Sequence, residues 1–211
     1  MQFCSLKIKR MRKITLISFL TVLSVLSVEL YSQDVLTISE KPTPPVTVKP
    51  LLGAALELGG ESVAKIAFTN GDTQDMPAGQ GGSIFAGIET SFASVKNLRI
   101  RGTIGIKYLT TAADNAHIRL TRIPLNLSAN WMLPENIRLG VGIVSHRAIH
   151  FRADGIGDDF DLKANAAPSF EIAWKAVGFS FIPMTYKAAN GETFNATAFG
   201  LTFSGVLPGK K

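Results

Sequence analysis

Ser145 and His146 are the first pair in the chain that suggests chemistry, because a serine hydroxyl activated by an imidazole is an acyl-transfer nucleophile. They are neighbours in a stretch that alternates as a strand does. Neighbours on a strand point to opposite faces, so the two cannot form a dyad with each other, and an inward, hydrogen-bonded His146 is the expectation. His117 and His150 read as loop-edge residues. Asp154, Asp158, Asp159 and Asp161 crowd into DGIGDDFD, and carboxylates on a glycine-bearing loop are the ligand type a hard cation such as calcium takes. Their spacing is not that of an EF-hand, so a solvated acidic loop without metal is expected; no cofactor is expected either.

A larger set of ionisable residues recurs at every second position of apolar stretches. It comprises Glu57, Glu61, Lys65, Glu89, Arg99, Arg101, Lys107, Arg122, Arg138, Asp161, Lys163 and Glu171. Two readings fit such a set: a selective pore, or a salt-bridge network that fills an interior. Charges withdrawn from bulk water persist when they are paired, and the mixture of signs favours the network.

The elements that position these residues are strands. From Leu51 onward an alternation of period two recurs eight times. In LRIRGTIGIKY, Leu98, Ile100, Ile104, Ile106 and Tyr108 share one face, and Arg99, Arg101, Thr103 and Lys107 share the other. The first strand sets Leu56, Leu58, Ala64, Ile66 and Phe68 against Glu57, Glu61 and Lys65. The second sets Ile84, Ala86, Ile88 and Phe92 against Ser83, Gly87 and Glu89. The fifth, to about Phe151, sets Leu139, Val141 and Ile143 against Arg138, Gly140, Gly142 and His146. The sixth sets Phe160, Leu162, Ala164, Ala166, Phe170, Ile172 and Trp174 against Asp161, Lys163, Asn165, Ser169 and Glu171. The eighth sets Phe199, Leu201 and Phe203 against small residues. The fourth and seventh change phase near Leu120–Arg122 and Ile182–Met184, which one extra residue in each strand would explain.

Connections near Ser94–Asn97, Pro134–Asn136 and Lys175–Val177 are tight, and those near Asn70–Gly81, Thr111–Asn115, Arg152–Asp159 and Ala188–Thr193 are longer. Such asymmetry is that of an outer-membrane barrel, with the short turns in the periplasm. Apolar residues make up 46 % of the chain, yet past the N-terminal stretch no run approaches the roughly 18 residues of a helical span. The expected fold is therefore all-β: an eight-stranded antiparallel up-and-down transmembrane β-barrel, apolar face to lipid and charged face to the lumen. Two aromatic girdles are expected: Phe92, Trp131, Trp174 and Phe203 near the tight turns, and Phe68, Tyr108, Phe151, Phe160 and Tyr186 near the longer loops. A soluble exported barrel with its apolar face inward is the competing architecture.

The N-terminus reads as a targeting signal over residues 1–32. Lys7, Lys9, Arg10, Arg12 and Lys13 form a basic head, an uncharged run follows to Val28, and small residues stand at Ser27 and Ser32. Without that stretch the 22 basic and 16 acidic residues become 17 and 15, so the basicity belongs largely to the signal and a nucleic-acid partner is rejected. The single cysteine, Cys4, leaves with it, which excludes a disulfide framework. Residues 33–50, with Pro42, Pro44, Pro45 and Pro50, read as an extended periplasmic segment ahead of a barrel at 51–207.

The segment HIRLTRIPLNLSANWMLPENIRLGVG (117–142) resembles the middle of small outer-membrane barrels of the OmpX and OmpA-transmembrane-domain type. The stretch DGIGDDFDLKANAAPSFEIAWKAVGFSFIPMTYKAANGETFNATAFGLTFSG (154–205) is similar to their last three strands. The likeness covers 51–207 and is one of pattern. It implies a location in the outer membrane of a Gram-negative bacterium, contact with outer-membrane lipid and lipopolysaccharide, passage through the barrel-insertion machinery, and a monomer. It implies a non-enzymatic structural or surface-interaction role through the exposed loops. The alternatives are a lipid-modifying enzyme, as in lipid A deacylase barrels, which use a Ser and a His at the membrane surface, and a narrow channel. Barrels of this type end on an aromatic residue, whereas here Phe203 is followed by SGVLPGKK. DVLTISE (34–40) loosely resembles the box of energy-coupled transport barrels, but eight strands leave no space for the plug such transporters need.

Overall fold

A computed structural model describes residues 45–67, 73–110, 117–155 and 157–208. The signal stretch, most of the proline-rich segment and Phe68 lie outside the described residues. In chain order the elements are β1 (Val46–Leu58), β2 (Ser62–Ala67), β3 (Thr73–Pro77), β4 (Gly81–Phe92), β5 (Leu98–Thr110), β6 (Arg119–Met132), β7 (Ile137–Arg152), β8 (Phe160–Ala164), β9 (Ala167–Trp174), β10 (Val177–Ile182), β11 (Thr185–Ala188), β12 (Thr193–Asn195) and β13 (Ala198–Val206), with one 3₁₀ turn at Pro134–Asn136.

The alternating stretches pair with their chain neighbours throughout. The sheet runs β12-β11-β8-β7-β6-β5-β4-β1-β13-β10-β9, and β9 closes it by pairing with β7. Counting β8 with β9, β10 with β11 and β12 with β13 as one interrupted strand each, the result is a closed eight-stranded antiparallel barrel. Closure pairs the long strands on both sides, while β12 ends the sheet at the loop end and β2–β3 stands apart as a hairpin. The turns after β4, β6 and β9 gather at one end, the longer connections at the other. The start of β1 and the end of β13 fall on the tight-turn side, because Val46 pairs with Phe92 and Leu51 with Val206.

Three readings of the sequence are corrected. First, β1 begins at Val46, so the barrel takes in the last residues of the proline-rich segment. Pro50 is tolerated there because β13 is ending beside it; the Pro50 carbonyl accepts from Leu207, just beyond that strand. Second, the first strand does not continue to Phe68. The chain breaks at Gly59 and Gly60, both at positive φ, and β2 pairs with β3 as a separate hairpin.

Third, the phase changes lie elsewhere than expected. Along β6 the even positions Ile118 to Asn130 all face inward, and along β10–β11 so do Gly178 to Tyr186. What changes is the interior they face: polar near the tight turns, apolar near the loops. The bulge belongs to β7, where register slips opposite Thr121–Ile123 and Ala148 takes φ 47°. Arg147 and Ala148 are both exposed, and Ile149 and Phe151 turn inward beyond them. A second inversion occurs at Asn165–Ala166, between β8 and β9, so Leu162 faces inward while Asp161 and Lys163 face outward.

These inversions build a second core. Ile118, Leu120, Ile149, Phe151, Leu162, Met184 and Tyr186 meet at the loop end with Ile66 and Met76 of the hairpin. Fully burying an aliphatic or aromatic side chain contributes roughly 1.5–3 kcal/mol, so this cluster anchors the hairpin over the barrel mouth. Phe151 and Phe160 stack inside at 4.5 Å and Tyr186 is wholly buried, so none of the three belongs to an outward girdle. Trp131, Trp174 and Tyr108 are exposed on the outside, and Phe92 and Phe203 are half-buried.

Candidate functional site

Inside the barrel the inward charges fall into two layers. Near the tight turns, on β4 and β5, Glu89 accepts from Arg101 at 2.6 Å and lies 3.8 Å from Arg99. On the far wall Arg138 of β7 reaches Glu171 of β9 at 2.8 Å. Glu171 also accepts from Thr202, across β10, and it can do so because position 178 is glycine: a Cβ there would lie 2.5 Å from both partners. Arg99 also donates to the Lys96 carbonyl at 2.6 Å, at the rim. Glu89, Arg99, Arg101 and Arg138 border an open vestibule of about 410 Å³ at the tight-turn end.

The second layer sits at mid-height. Lys107 of β5 meets Glu57 of β1 at 2.6 Å, and both side chains are buried. Beside them Arg122 is buried, and His146 Nδ1 lies 2.5 Å from the Tyr186 hydroxyl. Between the layers is a cavity of about 100 Å³ whose polar lining includes Ser83, Thr103, Asn126, Ser128, Ser169 and Thr202.

Above the second layer the lumen is shut. The segment Ala78–Gln80, leading from the hairpin into β4, crosses the opening, and its carbonyls are held from below. Lys107 donates to Gly79 O at 2.5 Å, and Arg122 donates to Ala78 O and, at 2.6 Å, to Gln80 O. Glu61 fastens the hairpin from outside: the Asn195 amide donates to its carboxylate at 2.8 Å, and the Glu61 amide donates to Asn195 O. Of the expected inward set, the structure therefore brings together Glu57, Glu89, Arg99, Arg101, Lys107, Arg122, Arg138 and Glu171. Glu61, Lys65, Asp161 and Lys163 are exposed and outside the lumen. The sequence did not separate them because the hairpin arm that carries Lys65 alternates as a strand does, and because the inversion at Asn165–Ala166 turns Asp161 and Lys163 outward.

The outer surface divides by height. Around the middle it is apolar, with Ile84 68 % and Leu127 61 % exposed and Ile104, Ile143, Ile172 and Phe179 beside them. At the loop end, from β6 to β11, outward positions become charged: Arg119, Arg147, His150, Arg152, Asp161, Lys163 and Lys187. His150 Nδ1 and an Arg152 nitrogen lie 2.8 and 3.0 Å from Asp161, and these two partners hold the Asp161 carboxyl below the ordinary aspartate range.

Ser145 and His146 are brought no closer to catalysis. His146 faces the lumen and is engaged by Tyr186, while the Ser145 hydroxyl is buried on the neighbouring position without a hydrogen bond. Carboxylates of the acidic loop are taken up by neighbouring groups: Asp154 accepts from the His117 amide in the preceding connection, Asp159 from the Ala153 amide, and Asp161 from Arg152. Among the described residues no three His, Cys, Asp or Glu side chains converge as a metal site would require. Compared with known proteins, the chain matches no family model, no curated protein and no solved structure.

Proposed function

We propose that the chain is an integral outer-membrane barrel with a closed, charged lumen, acting without catalysis as a structural or surface-interaction protein through its loop end. The observation that carries this reading is the inversion of polarity about the barrel wall. Paired ions lie within, and a continuous apolar girth lies without. Soluble proteins rarely expose apolar patches beyond a few hundred Å². On β5 the outward apolar run from Leu98 to Tyr108 covers ten residue steps, about 33 Å of strand. At the tilt of small barrels that is roughly 25 Å of height, the thickness of an outer-membrane apolar band.

The orientation follows from the ends. The tight turns, the start of β1 and the end of β13 would face the periplasm, and the hairpin-capped end would face outside. A lipid-modifying enzyme requires a serine and a histidine meeting at an outward edge, and Ser145 and His146 occupy opposite faces of β7. A channel requires a lumen open at both ends, and Ala78–Gln80 crosses one of them.

Refolding tests the reading. Protein diluted from urea into phosphatidylcholine vesicles should fold and become protease-resistant, while the same dilution into buffer should give aggregated or unfolded chain. Folding in plain buffer to a monodisperse monomer would replace the membrane reading with a soluble barrel.

A further inference from the structure

On the strands themselves the outward charges at the loop end are one-sided and mainly positive, with Asp161 the carboxylate among them. Arg119 on β6, Arg147 and Arg152 on β7, Lys163 on β8 and Lys187 on β11 lie on consecutive strands of half the circumference. On the other half the outward wall positions Leu58, Tyr108, Thr193 and Asn195 are uncharged, and the exposed charges of the hairpin and its lead-in, Glu61, Lys65 and Asp75, mix both signs. Within the charged half, two cross-strand pairs set like charges directly opposite each other: Arg119 with Arg152, and Lys163 with Lys187. Like charges so placed destabilise a sheet unless something neutralises them.

The nearby carboxylates do so only for one side. Asp159 and Asp161 serve Arg152 and His150, and Glu192, in the turn after β11, is held by Asn190. Among the described residues Lys163 and Lys187 have no acidic partner. Just below, the surface changes to the apolar girth, so a ligand with acyl chains beneath and an anionic head above fits both parts at once.

We infer that this collar, centred on Lys163 and Lys187, binds the phosphate groups of a lipid headgroup in the outer leaflet. The inference rests on the membrane reading and adds a defined lipid contact to it. Ammonium groups beside an apolar surface attract anionic headgroups additively, so each lysine contributes separately. The two lysines are exposed, and their replacement leaves the cores untouched.

The full chain folded in neutral detergent micelles would be titrated with diphosphoryl lipid A, and adducts counted by native mass spectrometry. Dephosphorylated lipid A and inorganic phosphate are the parallel probes. The wild type should bind the diphosphoryl form, with Lys163→Gln/Lys187→Gln roughly tenfold weaker, and with Lys49→Gln/Lys175→Gln, at the opposite end, unchanged. Equal binding by Lys163→Gln/Lys187→Gln, or equal binding of the dephosphorylated lipid, would overturn the proposal. So would competition by inorganic phosphate at comparable concentration, which would make the collar a site for the free anion. The membrane reading fails at an earlier step, when the chain folds without detergent, so the two failures are distinguishable.

Discussion

Lys107 and Glu57 meet over position 81, joining β5 to β1 across the strand that separates them, with a nitrogen–oxygen distance of 2.6 Å. Position 81 is glycine at φ 149°, and a Cβ there would come within 2.9 Å of an Arg122 nitrogen and of the Tyr108 carbonyl. Removing one member of a buried pair leaves the other charge uncompensated. Glu57→Gln should therefore cost roughly 3–5 kcal/mol, read as a lower urea midpoint in vesicles. Glu57→Gln/Lys107→Met removes both charges and should recover much of the loss. A Glu57→Gln protein as stable as wild type would show that Gly79 O alone satisfies Lys107.

The alternation that makes strands was legible in the sequence, and so was the inward face where the lumen is polar. Arg101, Arg138, Glu89 and Glu171 could be placed because their neighbours on the same strand are strongly apolar. Near the loops the same rule failed for a physical reason. There the interior is itself apolar, so Leu120 and Tyr186 carry the residue type of an outward position while facing inward. Polarity identifies a face only when the two sides of the wall differ. Nor did the sequence reveal that Ala78–Gln80 plugs the mouth, because that contact is made by backbone carbonyls, which every residue has.

The plug has a consequence for transport. Three backbone carbonyls stand across the lumen, gripped by Lys107 and Arg122 beneath an apolar cluster. An eight-stranded barrel encloses little beyond its own side chains in any case. Reconstituted into planar bilayers, the protein should give no stable large channels. Reproducible large steps from pure protein would mean that the hairpin leaves the mouth.

Asp161 offers a check outside the apolar girth. His150, first, and Arg152 stabilise its ionised form, so its folded pKa lies below the ordinary value of 3.8. A depressed acid supports the fold above its unfolded pKa and ceases to do so as pH falls through the folded one. The contribution of the ionised Asp161 should therefore be lost only as pH falls below 3.8. An NMR titration of the Asp161 carboxyl in detergent micelles should give a midpoint below that value. A midpoint at or above it would mean that the contact does not form in solution.

Thr103 and Ile104 are consecutive on β5 and test the two sides of the wall against each other. Ile104 is 56 % exposed on the outer girth, opposite Ala86 and Leu125. Thr103 lines the polar cavity between the two charge layers. If the girth faces hydrocarbon, an arginine at position 104 must bring its guanidinium near the bilayer midplane, at a cost of roughly 2–4 kcal/mol. Thr103→Asn places a slightly larger polar group where Asn126 and Ser128 offer hydrogen bonds, so its cost should be distinctly smaller. Reversible urea unfolding in vesicles compares the two variants directly. In a soluble barrel the order would reverse, because an exposed arginine at 104 would meet water and cost little, while the change at 103 would disturb packed interior. Ile104→Arg as the milder variant would thus place Ile100, Ile104 and Ile106 in water.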